Sequence, residues 1–389
     1  MPIDRRITLS NWLEAPNNRW SFQHVREIVP TALIARDERG PSPLPERPLG
    51  LDDLTVEAPS SSVPLMEHLE ATCCDGIAVL KDGGLVYERY LNGMTPRTTH
   101  LLMSVSKSFC GALLGIMDGR GVVSVDDKVT DIATDLAGTA IEGATVRQLI
   151  DMTAGTDCLE DYDTYDDPDG DAPLLEYERQ SGYRPLDGRP FVGILEHFKT
   201  LGNVREHGEA FEYRSVLTNM VAHVLESATG TRYPELLSRE LWAPLGPEHD
   251  AEVMVDGLGF PAVEGGQCCT LRDLLRFGHA LGSGGRIDGR QVLPEAWIAD
   301  TIEPDAKAQA DWDASEYRSW APDGQYRNAF WVFRPHRIFS GIGIHGQYCW
   351  NDLEAGVTIA RFSTLPQAVS DEVEADVLAG FAAIAAAVS

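Results

Sequence analysis

Apolar residues recur at three- and four-residue steps after Ser104. Val105, Phe109, Leu113 and Ile116 fall on one face, and Gly119 to Gly121 ends the run. That spacing predicts a helix over 104–119. Upstream, Gly76-Ile-Ala-Val-Leu80 and Leu85-Val-Tyr-Glu-Arg-Tyr90 flank Lys81-Asp-Gly-Gly84, which predicts a hairpin of two β-prone runs around a glycine turn. Shorter helices are predicted over 145–152, introduced by Thr145, and over 218–228, with Met220, Val221, Val224 and Leu225 on one side. Another is predicted over 270–281, with Thr270 as N-cap and Asp273 at N3. Near the end, 330–333, 341–350 and 357–362 read as consecutive strands, and Val377 to Val388 as a terminal packing helix. Residues 40–64, rich in Pro and Ser, read as a surface connector. Strands, then helices, then strands predict an α/β fold with a central antiparallel sheet. Residues 1–125 and 265–389 would form the α/β part, and 126–264 a mainly helical insertion closing a cleft. No internal repeat is visible.

The chain has 389 residues, long enough for a large core or for two or three units. Charge changes the picture more. Sixty Asp and Glu stand against 32 Lys and Arg, a net charge of -28. Such a surface repels phosphate backbones and anionic headgroups, which argues against nucleic-acid and membrane partners. Part of the excess lies in 157–171, where eight of fifteen residues are acidic, read as a solvated loop over the cleft. Asp167-Pro-Asp-Gly170 only partly matches a calcium loop, and the His residues lack ligand spacing. No metal or other cofactor is therefore expected. Seven cysteines, an odd number without a C-x-x-C, fit neither a disulfide framework nor a zinc site. Free thiols in a reducing cytoplasm are expected, as is the lack of a secretory signal, since Met1 to Ser10 has no apolar segment.

The chemistry-bearing string is Ser104-Val-Ser-Lys107 at the head of the first predicted helix. Positions i and i+3 share a helical face, so the lysine can reach the serine hydroxyl. A serine is a weak nucleophile that needs an adjacent base, and a lysine serves when burial lowers its pKa. The helix N-terminus adds backbone N–H groups near a developing oxyanion. An ordinary N-cap serine and a solvated lysine would leave the same tetrapeptide. No G-x-S-x-G or H-E-x-x-H is present. A second proton-transfer group, commonly the Tyr of Y-x-N or Y-x-S, has four candidates: Tyr90, Tyr213, Tyr317 and Tyr326. Pattern alone does not separate them. Context favours Tyr213, between a glycine-marked turn at Gly208 and an apolar helix.

These motifs resemble the β-lactamase and penicillin-binding-protein superfamily of serine hydrolases. The likeness runs through Met103-Ser-Val-Ser-Lys-Ser108, Thr145-Val-Arg-Gln-Leu-Ile-Asp-Met-Thr-Ala-Gly155 and Glu264-Gly-Gly266 with Thr270-Leu-Arg-Asp-Leu274. Asn11-Trp-Leu-Glu-Ala-Pro-Asn-Asn-Arg-Trp-Ser-Phe-Gln-His24 and Ser340-Gly-Ile-Gly-Ile-His-Gly-Gln347 most resemble the 6-aminohexanoate-dimer hydrolases, amidases with esterase activity. The resemblance implies Ser104 as nucleophile, Lys107 as base, Tyr213 as proton donor to the leaving group and Ser215 as support. It implies an oxyanion hole from the Ser104 and Ile344 N–H groups. Around the substrate it implies Tyr162, with Tyr165 an equal candidate, Glu178, Glu264 and His345. Glu264 departs from the family's Asn. Two carboxylates at 178 and 264 would favour a substrate bearing a protonated amine. The final strand reads Gly341-Ile-Gly-Ile-His345, without the K-T-G lysine, which argues against peptidoglycan and β-lactam substrates. The expected reaction is hydrolysis of a small linear amide or ester through an acyl-enzyme. Carboxylesterase, D-aminopeptidase, β-lactamase and transacylase chemistry are the alternatives, and a homodimer is allowed.

Overall fold

The computed structural model describes residues 7–162, 170, 172–334 and 336–389. Strands β1 (Thr31–Ile34), β2 (Cys74–Lys81), β3 (Gly84–Tyr90), β4 (His100–Leu101) and β5 (Ala251–Met254) come first in the chain. They are followed by β6 (Gln267–Cys269), β7 (Gln325–Arg327), β8 (Phe330–Phe333), β9 (Ile338–Gly343), β10 (Gln347–Asp352) and β11 (Val357–Ser363). The main helices are α1 (Val105–Gly119), α2 (Val146–Ile150), α3 (Pro173–Gln180), α4 (Ser215–Thr229), α5 (Leu271–Gly282) and α6 (Asp371–Val388). Seven strands form one antiparallel sheet ordered β7-β8-β9-β10-β11-β2-β3, so the predicted hairpin closes one edge. A four-stranded sheet, β1-β5-β6-β4, leads the chain into Ser104.

The large sheet is buried on both faces, and side-chain alternation divides it between two cores. Ile77 and Val79 pack with Leu65, Leu69, Val377, Phe381 and Ile384 under α6. Ala78 and Leu80 point the other way, into the larger core with Phe109 and Leu113 of α1 and Leu274 of α5. Each large side chain so buried contributes about 1.5–3 kcal/mol. The resulting layers are α6, sheet, then α1 and α5, which bears out the predicted α/β class.

Glycines set how closely α1 approaches the sheet. A Cβ on Gly341 would lie 2.7 Å from Ser108 Oγ, and one on Gly343 2.6 Å from Leu102 O and 3.0 Å from Ser104 N. Both sit on the same face of β9, two residues apart, so the strand end runs against the backbone that carries Ser104.

Several elements differ from the sequence expectation. The stretch 341–350 is two strands, because Ile344 to Gly346 turns the chain. His345 at φ +60° and Gly346 at φ +89° make that turn. Its apolar alternation continues through the turn and hides it. Thr145 caps α2 in a reciprocal capping box with Gln148. Thr270 makes no such cap. Its hydroxyl donates to Asp273 at 2.7 Å, while that carboxylate accepts from the Glu248 and His249 N–H groups. Helix α6 begins at Asp371, before the apolar run, because Ser370 accepts a bond from the Val373 N–H. The 40–64 connector contains a small strand pair, Thr55–Glu57 with Ser62–Pro64. Within 126–264 most elements are helical, but β5 pairs with β1 and β6.

Candidate active site

Ser104 stands at the junction of sheet and helix. Met103 before it is left-handed, at φ +46°, a conformation that costs a non-glycine residue about 1–3 kcal/mol and turns the chain sharply into α1. Ser104 makes no capping bond to its helix. Its hydroxyl instead accepts a hydrogen bond from Lys107 Nζ at 2.7 Å. Lys107 is 1% exposed, so neither residue is the cap or the solvated lysine that the tetrapeptide also allows. A second bond, 2.6 Å, runs from Nζ to the Glu264 backbone carbonyl and fixes the amine's position. Burial lowers the Lys107 pKa from 10.5 to about 8, against the opposing pull of the Glu160 and Glu264 carboxylates. The free amine is thus far more accessible near neutral pH than it is for an exposed lysine.

Of the four tyrosine candidates, Tyr213 meets the serine–lysine pair. Its ring centroid lies 5.1 Å from Lys107 Nζ, and the ring stacks on Trp331 at 5.2 Å with a 25° tilt. Burial raises its phenol pKa strongly, with the Tyr326 and Glu160 neighbours adding to it and Ser104 opposing, so the O–H stays protonated. Tyr326 packs edge-on against Tyr213 at 5.7 Å. Tyr317 lines the same cleft and packs on Trp331 at 5.1 Å. Tyr90 is elsewhere, on β3, and donates to Glu88 at 2.6 Å.

Gly343 brings the end of β9 against Ser104. Neither the Ser104 N–H nor the Ile344 N–H has an acceptor among the described residues. Both residues line the same cleft. The pair therefore offers two unused donors beside the hydroxyl. His345 follows at the turn. Burial pushes its pKa down to about 4, so it is neutral, and its Nδ1–H donates to the Leu365 carbonyl at 2.7 Å. With its own N–H bonded to Ala368 O at 2.8 Å, it pins the turn that carries Ile344.

The cleft has a volume of about 1360 Å³. Its walls come from the N-terminal segment Leu9 to Ala15, the 160–162 loop, the aromatic group Tyr213, Tyr317, Trp320 and Trp331, and the β9 end. The N-terminal wall is tied in by Trp12, which donates to Tyr183 O at 2.8 Å and stacks on that ring.

Glu160 is the polar centre that the sequence does not single out. It accepts from the Ser215 N–H at 2.6 Å, from the Ser215 hydroxyl at 2.8 Å and from the Tyr162 phenol. Ser215 and Tyr162 thus share one carboxylate, which holds Tyr162 at the cleft. Glu160 is one acid among many in 157–171, and no spacing marks it. Tyr165 and the acids at 163, 166, 167, 169 and 171 lie outside the described residues.

The expected pair of substrate-facing carboxylates does not form. Glu178, on α3, is buried and ion-paired with Arg184 at 2.5 Å, so its charge is already compensated. It is not among the residues that line the cleft, and neither is Glu264, which meets Lys107 Nζ through its backbone carbonyl. Among the described residues no group of His, Cys, Asp and Glu could hold a metal ion.

The fold and the serine–lysine pair define a class. A family model described as Beta-lactamase matches residues 65–383, and the chain belongs to that family, whose members are serine hydrolases. Similarity within the class is specific. The chain is 36% identical to a 6-aminohexanoate-dimer hydrolase of Paenarthrobacter ureafaciens over 362 residues, 92% of this chain and 88% of that one. A solved structure from Bacillus anthracis, which carries the same name provisionally, superposes with a TM-score of 0.90. It shares 25% identity and covers 99% of this chain and 98% of its own. A family VIII carboxylesterase shares the fold, with a TM-score of 0.56 at 13% identity, 82% of this chain and 96% of the other. Among the described residues no helix is long and apolar enough to cross a membrane.

Proposed function

We propose that the protein hydrolyses a small linear amide or ester through an acyl-enzyme on Ser104, as the 6-aminohexanoate-dimer hydrolases are named for doing. The observation that carries this reading is the 2.7 Å contact between a fully buried lysine and the Ser104 hydroxyl. Lys107 takes the hydroxyl proton as Ser104 Oγ attacks the substrate carbonyl. The Ser104 and Ile344 N–H groups hold the oxyanion. The proton passes from Lys107 through Tyr213 to the leaving amine or alcohol, the carbonyl re-forms and the leaving group departs. Water then attacks the acyl-enzyme, gives a proton to the same relay and releases the acid while Ser104 regains its hydrogen. The helical segment 126–264 contributes Tyr162, Tyr213 and Glu264 and serves as the cap of the cleft. The chain's seven unpaired thiols, six of them buried, support a reducing cytoplasmic setting.

The test compares a p-nitrophenyl alkanoate, a linear ω-amino amide and a cephalosporin. The ester and the linear amide are expected to turn over, with the cephalosporin poorest, because the Gly341 to His345 segment supplies no lysine for its carboxylate. Intact-mass spectrometry of a slow ester is expected to show one acyl group on Ser104. Preferred turnover of the cephalosporin would sink the reading.

Tyr213→Phe separates the leaving-group step. Phenylalanine keeps the stack on Trp331 and loses only the O–H. The loss is expected to be about 10²–10⁴-fold in kcat for the amide, whose amine cannot leave unprotonated. For a p-nitrophenyl ester, whose phenolate leaves unaided, a much smaller loss is expected. Equal losses on both substrates would remove Tyr213 from that role.

A further inference from the structure

Glu264 is 5% exposed, and both of its carboxylate oxygens are buried without a hydrogen-bond partner. A buried carboxylate in that condition is costly unless something compensates it. Its backbone carbonyl already does the structural work of anchoring Lys107 Nζ at 2.6 Å, and any residue would supply that carbonyl. The side chain therefore calls for a separate account. The charged and titratable groups around it are Lys107, Glu160 and Tyr177. Glu160 is engaged by Ser215 and Tyr162. Tyr177 is engaged by the Asn219 amide nitrogen, and the Asn219 oxygen accepts from the Val263 and Glu264 N–H groups at 3.0 and 3.2 Å. Around Lys107 the charged groups are the same two carboxylates, with Tyr213 over the amine. Of the groups that favour the ionised Glu264, the Lys107 ammonium comes first, ahead of the Glu264 backbone N–H and the Asn219 side chain.

We propose that Glu264 is a positioning residue that sets the pH at which Lys107 becomes a base, by stabilising the ammonium electrostatically within the water-excluded floor of the site. This rests on Lys107 being the base of the proposed reaction. The sign is fixed. An ionised Glu264 favours the charged lysine, so it delays formation of the free amine as pH rises. Burial raises the Glu264 pKa while Lys107 opposes that rise, so the two groups share protons as a unit. The device makes the nucleophile's activation respond to pH through a residue that does not line the cleft.

The test follows the pseudo-first-order rate of fluorophosphonate labelling across pH 5–10, in wild type, Glu264→Gln and Glu264→Met. The expected result is an acidic limb displaced to lower pH by about one unit in both variants, an approximately tenfold faster reaction on the limb. A limb that stays in place, or moves up, overturns the proposal. Neither variant loses a hydrogen bond, so both are expected to fold. Unfolding of both, read by circular dichroism, would make the side chain a structural support and overturn the proposal as well. Ser104→Ala separates the two levels. Labelling that persists there refutes the serine–lysine reading itself, whereas labelling lost there with an unmoved limb refutes only the part given to Glu264.

Discussion

Ser104→Ala is expected to abolish the acyl-enzyme adduct and to lower kcat by roughly 10⁴- to 10⁶-fold. Removing Oγ takes away the only atom that bonds to the substrate carbonyl, while the oxyanion donors and the cleft stay in place and leave a small residual rate. Lys107→Met is expected to cost nearly as much. The methionine fills the buried volume without a charge or a proton acceptor, so Ser104 keeps its place and loses its base. The double variant is expected to be no slower than Ser104→Ala alone, because the two groups act in one step and their effects do not add. Steady-state kinetics on a p-nitrophenyl ester and an amide, with intact mass of each protein, check this. A double variant much slower than either single one would mean that Ser104 and Lys107 act independently. A second base for the serine would then have to be found.

Gly343→Ala is the second large effect expected, although it alters no reacting group. The added methyl would sit 2.6 Å from Leu102 O and 3.0 Å from Ser104 N. The third close atom is Met103 Cβ at 3.0 Å, and neither it nor the backbone can swing aside as the far end of a flexible side chain does. Strand β9 must back away from the Ser104 segment, carrying Ile344 with it. Misplacing one oxyanion donor costs about 10²–10³-fold in kcat. The cleft wall formed by Tyr317 and Trp320 is not among the atoms the new methyl would meet, so KM is expected to change little. Gly289→Ala is the control. It lies outside the site, on a turn with open space around the would-be Cβ, and only its left-handed backbone at φ +73° is strained. It is expected to lower Tm slightly and leave kcat unchanged. If Gly343→Ala lowers Tm but not kcat, the oxyanion hole does not depend on this approach.

How much of this was legible in the chain differs from element to element. Ser104 and Lys107 stand three residues apart on one predicted helix, so their contact follows from local geometry. Tyr213 could be reached only by its flanking turn and helix, since Tyr90, Tyr317 and Tyr326 share its pattern. The hairpin from Gly76 to Tyr90 was visible because its apolar runs and glycine turn are adjacent in sequence. The turn at Ile344 to Gly346 was not. It depends on His345 adopting a left-handed conformation that is held by Leu365 and Ala368, twenty and more residues away. Glu160 was hidden for a related reason. In an acidic run every carboxylate looks alike, and only its contact with Ser215, 55 positions later, distinguishes it.

Charge illustrates the same limit. The net -28 argues against polyanionic partners as soon as it is counted. It does not say where the charges lie. Glu178 was expected to face the substrate, yet Arg184 pairs with it within α3 and the loop that follows. Glu264 was expected beside it in the cleft, yet its side chain is buried outside the cleft lining and only its backbone carbonyl meets Lys107.

What the sequence by itself determined is whatever depends on neighbours along the chain: the α/β order of elements, the serine–lysine pair on one helical face, and the lack of a lysine in the final strand segment. The tertiary structure alone decided what depends on distant segments meeting. Those are the two unused N–H groups brought side by side by Gly343, the burial that lowers the pKa of Lys107, the approach of Tyr213 to Lys107, and the partnerships of Glu160, Glu178 and Glu264. The physical reason is that hydrophobic periodicity and helix spacing act over a few residues. Desolvation and electrostatic coupling depend on which groups share a water-excluded volume, and that volume exists only once the chain has folded.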